Sequence, residues 1–110
     1  MVFRESETVE LKEAVTDEIK KEIIAFANCD GGRLYIGVQD DGTVVGLDDP
    51  DHVSLQISNM VRDSIKPDVT MFLHYETIEE DGREIIAVDV QRGTDRPYYL
   101  CLLYTSPSPR

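Results

Sequence analysis

Residues 18–38 read EIKKEIIAFANCDGGRLYIGV, and this stretch constrains the fold more than any other. Ile19, Ile23, Phe26 and Ala27 recur at helical spacing, with Ile24 adjoining them. They predict an amphipathic helix of about a dozen residues that ends near Asn28. Thr16 is a plausible N-cap, and Asp17 and Glu18 follow in the first turn, where acids suit the helix dipole. Asp30-Gly31-Gly32 supplies the stop, because glycine tolerates the left-handed conformation that ends helices. Arg33–Val38 then reads as a strand, so dense in apolar residues that a central place in a sheet is expected.

The flanking segments alternate between elements and turns. Glu7–Leu11 puts Val9 and Leu11 on one face of a short strand. Asp40-Asp41-Gly42 is a turn, and Thr43–Leu47 is expected to return as a hairpin partner. Asp48-Asp49-Pro50-Asp51 offers a helix start, and Val53, Ile57, Met60, Val61 and Ile65 form a second helical stripe closed by Pro67. Val69–Thr77 alternates as a strand, Glu80-Asp81-Gly82-Arg83 turns, and Glu84–Val90 returns. Gln91–Arg96 is a loop, and Arg96–Leu100 approaches a further strand. The expected order is β-α-β-β-α-β-β: an α+β fold with two helices packed on one face of a five-strand mixed sheet.

Composition narrows the function classes. The chain has 110 residues, 22 Asp plus Glu against 11 Lys plus Arg, and a formal charge of −11. That length supports one domain. No run of about 18 apolar residues occurs, so no membrane partner is expected. The opening MVFRESETVELKE lacks an apolar signal core, and two cysteines cannot build a disulfide framework; both fit a cytoplasmic setting. The acidity opposes a whole-surface grip on nucleic acid. A local cationic strip, or a divalent metal held by carboxylates, is compatible with it.

Residues 101–110, CLLYTSPSPR, depart from this pattern. Ser-Pro-Ser-Pro can neither propagate a helix nor pair as a central strand. A transposase sequencing adapter read through in one frame encodes a closely similar peptide. We therefore expect a native domain over residues 1–100, truncated at its C-terminal end, and a non-native tail over residues 101–110. Cys101 and Tyr104 would then carry no function, and losing Arg110 takes the charge from −11 to −12. Cys29 is read as a small buried residue at a helix end.

Two segments could carry chemistry. In E-S-E-T-V-E-L-K, residues 5–12, Glu10 and Lys12 share one strand face opposite Val9 and Leu11, and Glu5 can approach that face around the bend. A carboxylate and an ammonium so placed suit metal-assisted phosphodiester cleavage, although spacing alone favours a solvent-facing ion pair. In residues 25–42, Gly31-Gly32 could let backbone pass close to a phosphate. No Gly-Lys-Ser/Thr follows, and helix precedes strand, so neither a P-loop nor a dinucleotide fingerprint is present. A helix stop plus a hairpin is the plainer reading. Asp40 ends the central strand, where it could meet Glu5 and Glu10. His52 and His74 have no ligand spacing.

Together E-S-E-T-V-E-L-K and A-F-A-N-C-D-G-G-R-L-Y-I-G-V-Q-D-D-G-T-V-V-G resemble the Schlafen AlbA-type DNA-binding domain, over roughly Glu5 to Leu100. The resemblance implies an N-terminal nucleic-acid-binding module of a prokaryotic transcriptional regulator. It also implies a downstream GHKL-like, ATP-binding segment and a winged helix in the full-length protein. The resemblance further implies a strand beyond the Pro-Tyr-Tyr-like stretch, and that strand is expected to be missing here. In eukaryotic Schlafen proteins a similar domain cleaves RNA with three acids, which map onto Glu5, Glu10 and Asp40; Lys12 also matches.

Three readings follow. The first is a binding module that uses the Gly31-Gly32 turn with Lys12, Arg33, Arg92 and Arg96, favours DNA over RNA, and needs no cofactor. The second is a nuclease in which Glu5, Glu10 and Asp40 hold Mg²⁺ or Mn²⁺ and Lys12 assists at the phosphate. The third is a dimerisation lobe for a downstream ATPase, with Arg96–Leu100 as an unfinished edge that could make a homodimer.

Overall fold

The computed structural model describes residues 5–66, 69–94 and 97–100. Arg96, Pro67 and the tail Cys101–Arg110 lie outside the described residues. The elements are β1 (Val9–Lys12), α1 (Glu18–Asn28), β2 (Gly32–Ile36), α2 (Pro50–Ser64), β3 (Ile65–Lys66), a 3₁₀ turn (Thr70–Phe72), β4 (Leu73–Glu80), β5 (Arg83–Val90) and β6 (Tyr99–Leu100). The fold is α+β. β1, β2, β5 and β4 form a mixed sheet in that order, and β3 pairs with β6 in a separate two-stranded sheet. β1 runs parallel to β2, and the other pairings are antiparallel.

Both helices pack on one face of the sheet. Ile19, Ile23, Phe26 and Ala27 of α1 and Ile57 and Val61 of α2 join Leu34, Ile36, Ile86, Val88 and Val90 in one core. The register explains the set, because Leu34 opposes Val88 and Ile36 opposes Ile86, which puts all four on the helix side. The alternate residues Leu11, Tyr35, Val38, Ile85 and Ala87 form a second cluster on the other face. A central strand buried on both faces needs an almost continuous apolar run, and Leu34-Tyr35-Ile36 is one.

The helix ends depart from expectation in one detail. Asp17, not Thr16, is the N-cap of α1, and its side chain makes no capping bond; the Thr16 carbonyl instead accepts from Ile19 N. At α2, Asp49 accepts from His52 N and Pro50 occupies the first turn. Asp81 and Gly82 both have positive φ, 54° and 74°, which is the two-residue turn geometry that suits the β4–β5 hairpin.

Thr43–Leu47 does not add a fifth strand. β2 is already flanked by β1 and β5 along its length, so the returning segment finds no free edge there. It pairs only beyond the end of β2, through a Val38–Val44 bridge and bonds from Val45 N and Gly46 N to the Gly37 carbonyl. Leu47 N then donates to the Glu84 carbonyl of β5. Ile65–Lys66, read as the end of the second helical stripe, leaves α2 as the short strand β3.

The AFAN-x-x-GG segment is a fastening. Gly31 N donates to the Phe26 carbonyl at 2.9 Å, and Gly31 sits at φ 92°. A Cβ at Gly31 would lie 2.6 Å from the Val90 carbonyl, and one at Gly32 would lie 2.5 Å from the Phe26 ring. Asn28 bonds the backbone of Tyr98 with both ends of its amide, and Gly93 N donates to the Ala27 carbonyl. The end of α1 therefore holds the chain that leads into β6.

Candidate nucleic-acid interface

The opening segment folds back on itself. Ser6 and Val9 exchange backbone hydrogen bonds of 2.9 and 3.4 Å around Glu7-Thr8. The next pair outward is Glu5 and Glu10, so the E-x-x-x-x-E spacing sets the two carboxylates across a tight turn. Glu10 lies opposite Leu34 and Lys12 opposite Ile36, so both side chains stand on the helix face of the sheet. Lys12 Nζ is 3.7 Å from Glu10 Oε2 and 3.1 Å from Glu18 Oε1. Burial, a hydrogen bond with Glu5 and the charges of Glu22 and Glu5 push the Glu10 carboxyl up from 4.5 to about 7, against the opposing pull of Lys12. Burial draws the Lys12 ammonium down, but the hydrogen bond to Glu18 and the charges of Glu10, Glu18 and Glu22 outweigh it and leave its pKa raised.

Val9, Arg33, Asp89 and His74 form the alternate row, which faces away from the helices. Here Thr8 and Val9 meet Gly31, Gly32, Arg33, Asp89 and Arg92 around an open cleft of about 580 Å³. Arg33 Nη2 is 3.8 Å from Asp89 Oδ2, and Arg92 Nη1 is 3.7 Å from Asp30 Oδ1. A hydrogen bond to the Tyr35 hydroxyl, with the nearby Asp89 and Glu76, raises the pKa of Arg33, whose guanidinium is charged at any accessible pH in any case. Arg33 is 42% and Arg92 57% exposed, and pairs this open contribute only about 0–1 kcal/mol. Neither aspartate therefore holds its arginine strongly.

The structure thus brings Gly31, Gly32, Arg33 and Arg92 to one cleft and sets Lys12 on the opposite face with Glu5 and Glu10. Asp40 is exposed, in the turn closed by the Gly42 N to Gln39 carbonyl bond. Among the described residues, no group of three or more His, Cys, Asp or Glu is arranged to hold a metal ion. Cys29 is exposed rather than buried. The glycine pair lines the cleft, yet packing against Val90 and Phe26 already requires both residues to be glycine.

Three participants were not singled out from sequence. Asp89 is an acid inside the apolar run of β5, IIAVDV, and that interruption was the available signal. Asp30 reads as part of a helix stop, and nothing local pairs it with Arg92. Glu18 reads as a first-turn acid, and its bond to Lys12 needs the tertiary approach of β1 to α1.

The Schlafen, AlbA_2 family model matches residues 5–106. No curated protein matches the chain at a significant level. Among solved structures, the N-terminal domain of a Nitrosomonas europaea protein named as related to the ATP-dependent DNA helicase RecG is similar. It is 26% identical, with a TM-score of 0.75, over 96% of this chain and 76% of that one. The DIP2311 protein of Corynebacterium diphtheriae shares the fold at 17% identity and a TM-score of 0.63, over 88% of this chain and 20% of that one. No helix among the described residues is long and apolar enough to cross a membrane. With nearly its whole length matched, this chain belongs to the Schlafen AlbA_2 family.

Proposed function

We propose that this domain is a nucleic-acid-binding module of a larger protein, and that it contacts the sugar–phosphate backbone through the Arg33–Arg92 cleft. The observation that carries the reading is the convergence of two exposed guanidinium groups and the Gly31-Gly32 backbone at one open concavity. The helicase-related name of the Nitrosomonas relative supports DNA as the polymer. A transcriptional-regulator context, a cytoplasmic location, a homodimer and the downstream ATPase and winged-helix segments belong to the same proposal.

Two arginines contact about two phosphates, so log K should fall with log salt at a slope of about −2 on duplex DNA. The net charge of −11 keeps the affinity low. Titrating labelled single-stranded DNA, duplex DNA and RNA at low and physiological salt tests the reading. Binding at low salt with that modest slope is expected. Absence of binding to all three at low salt contradicts it.

The nuclease alternative draws on Glu5 and Glu10, a like-charged pair that a divalent ion would relieve. A Mg²⁺ or Mn²⁺ site there needs further oxygen ligands. Asp40 does not complete such a group among the described residues.

A further inference from the structure

Among the described residues, β4 is the outer strand of the main sheet and pairs with β5 alone. Gln91 N donates to the Phe72 carbonyl, which makes Phe72–Gln91 a hydrogen-bonded pair. In the same register, His74, Glu76, Ile78 and Glu80 are the bonded positions of β4. The backbone groups of Leu73, Tyr75, Thr77 and Glu79 therefore point outward. No described backbone group is shown bonding to them. Among the described residues, these eight residues of regular strand have one open edge.

The side chains on this edge are acidic. Glu76 and Glu79 are exposed, and Glu80 follows them. Glu79 stands opposite Glu84 in a non-bonded pair, the arrangement that brings cross-strand side chains closest. Like charges so placed repel, and no described cation is shown paired with either carboxylate. At the other end Leu73 is buried and Tyr75 packs on the core, so the strip is apolar at its start and anionic at its finish.

We propose that the β4 edge is a docking site for an extended, lysine- or arginine-rich segment of a partner protein, which adds as a strand beyond β4. The segment's backbone pairs with Leu73, Tyr75, Thr77 and Glu79. Its cations, carried on both faces of the added strand, stand beside Glu76 on one face and Glu79 on the other and relieve the Glu79–Glu84 repulsion. A second copy of this chain is a poor occupant, because it brings the same glutamates to the same edge.

The test uses the 110-residue chain, ¹⁵N-labelled, and a synthetic decapeptide of repeating Lys-Lys-Val, which sets lysines on both faces of an extended strand. Amide shifts centred on Leu73, Tyr75, Thr77 and Glu79 are expected. Methylating alternate backbone nitrogens of the peptide, or replacing its lysines with glutamate, should weaken binding at least tenfold. Thr77→Pro removes one outward N–H at a position where an edge strand tolerates proline, and Glu79→Gln leaves the backbone intact. Both should weaken binding, with the variants' HSQC spectra confirming the fold. Shifts confined to other surfaces, full binding by the methylated peptide, no binding, or self-association through β4 in sedimentation would each overturn the proposal.

Discussion

The carboxamide of Asn28 brackets the backbone of Tyr98: Nδ2 donates to its carbonyl at 3.1 Å, and its N–H donates to Oδ1 at 2.7 Å. Seventy residues separate the two in sequence. The Tyr98 side chain, 3% exposed, closes over Gly93, where a Cβ would lie 2.1 Å from its ring. One asparagine thus ties the end of α1 to the segment entering β6, beside the cleft that Gln91 and Arg92 help to line.

Removing that bracket should destabilise the domain. Asn28→Ala leaves both Tyr98 backbone groups partly buried without these partners, at a cost of roughly 1–3 kcal/mol. Asn28→Asp keeps the acceptor, loses the donor and should fall between. Urea unfolding followed by far-UV circular dichroism measures both, and an unchanged midpoint for Asn28→Ala would remove the fastening role.

The glycine pair makes a sharper stability prediction. Gly31→Ala combines a positive φ with a Cβ 2.6 Å from a backbone carbonyl that cannot move cheaply. We expect a loss of at least about 2 kcal/mol. Gly82→Ala, at φ 74° with open space around it, should cost about 1 kcal/mol. Thermal melts of the two variants should rank in that order.

Stability should fall as pH rises from about 4.5 to 7. The folded state holds the Glu10 proton up to about pH 7, whereas the unfolded chain releases it near 4.5. Across that window the folded state binds more protons, so each step up in pH favours unfolding, and the effect levels off above 7. The full shift is worth roughly 3 kcal/mol at most. Glu10→Gln should flatten this slope and gain stability at pH 8 relative to the parent, with little change at pH 4. Urea midpoints across pH, with a carbon-detected titration of the Glu10 carboxyl, measure both effects.

Neutralising the aspartates that hold the arginines should strengthen nucleic-acid binding. Each exposed pair is worth about 0–1 kcal/mol, so Asp30→Asn and Asp89→Asn should each raise affinity by up to about fivefold. Fluorescence anisotropy with labelled single-stranded DNA reads this directly. Weaker binding by both variants would place the aspartates in contact with the ligand instead.

Much of this architecture was legible in residue order. The α1 stripe, the glycine stop, the Pro50 start and the Asp81-Gly82 turn are local, and local chemistry determines them. Thr43–Leu47 does return across its turn as the turn chemistry implies, but it adds no sheet strand because both edges of β2 are taken. Whether β2 has a free edge depends on β1 and β5, which no local pattern reveals. At the site, alternation along β1 correctly set Glu10 and Lys12 opposite Val9. Lys12 and Arg33 were grouped by charge alone, and the β1–β2 register puts them on opposite faces. The role of Asn28 was hidden, since its partner lies at the far end of the chain.

The most direct measurement is DNA affinity after removal of the two cleft arginines. Arg33→Ala/Arg92→Ala and the parent should be titrated against the same labelled single-stranded oligonucleotide at low salt, with urea midpoints confirming equal folding. The cleft reading predicts at least about tenfold weaker binding by the double variant, the loss expected for charge-assisted contacts. Equal affinity in the two proteins would contradict it and move the interface elsewhere on the surface.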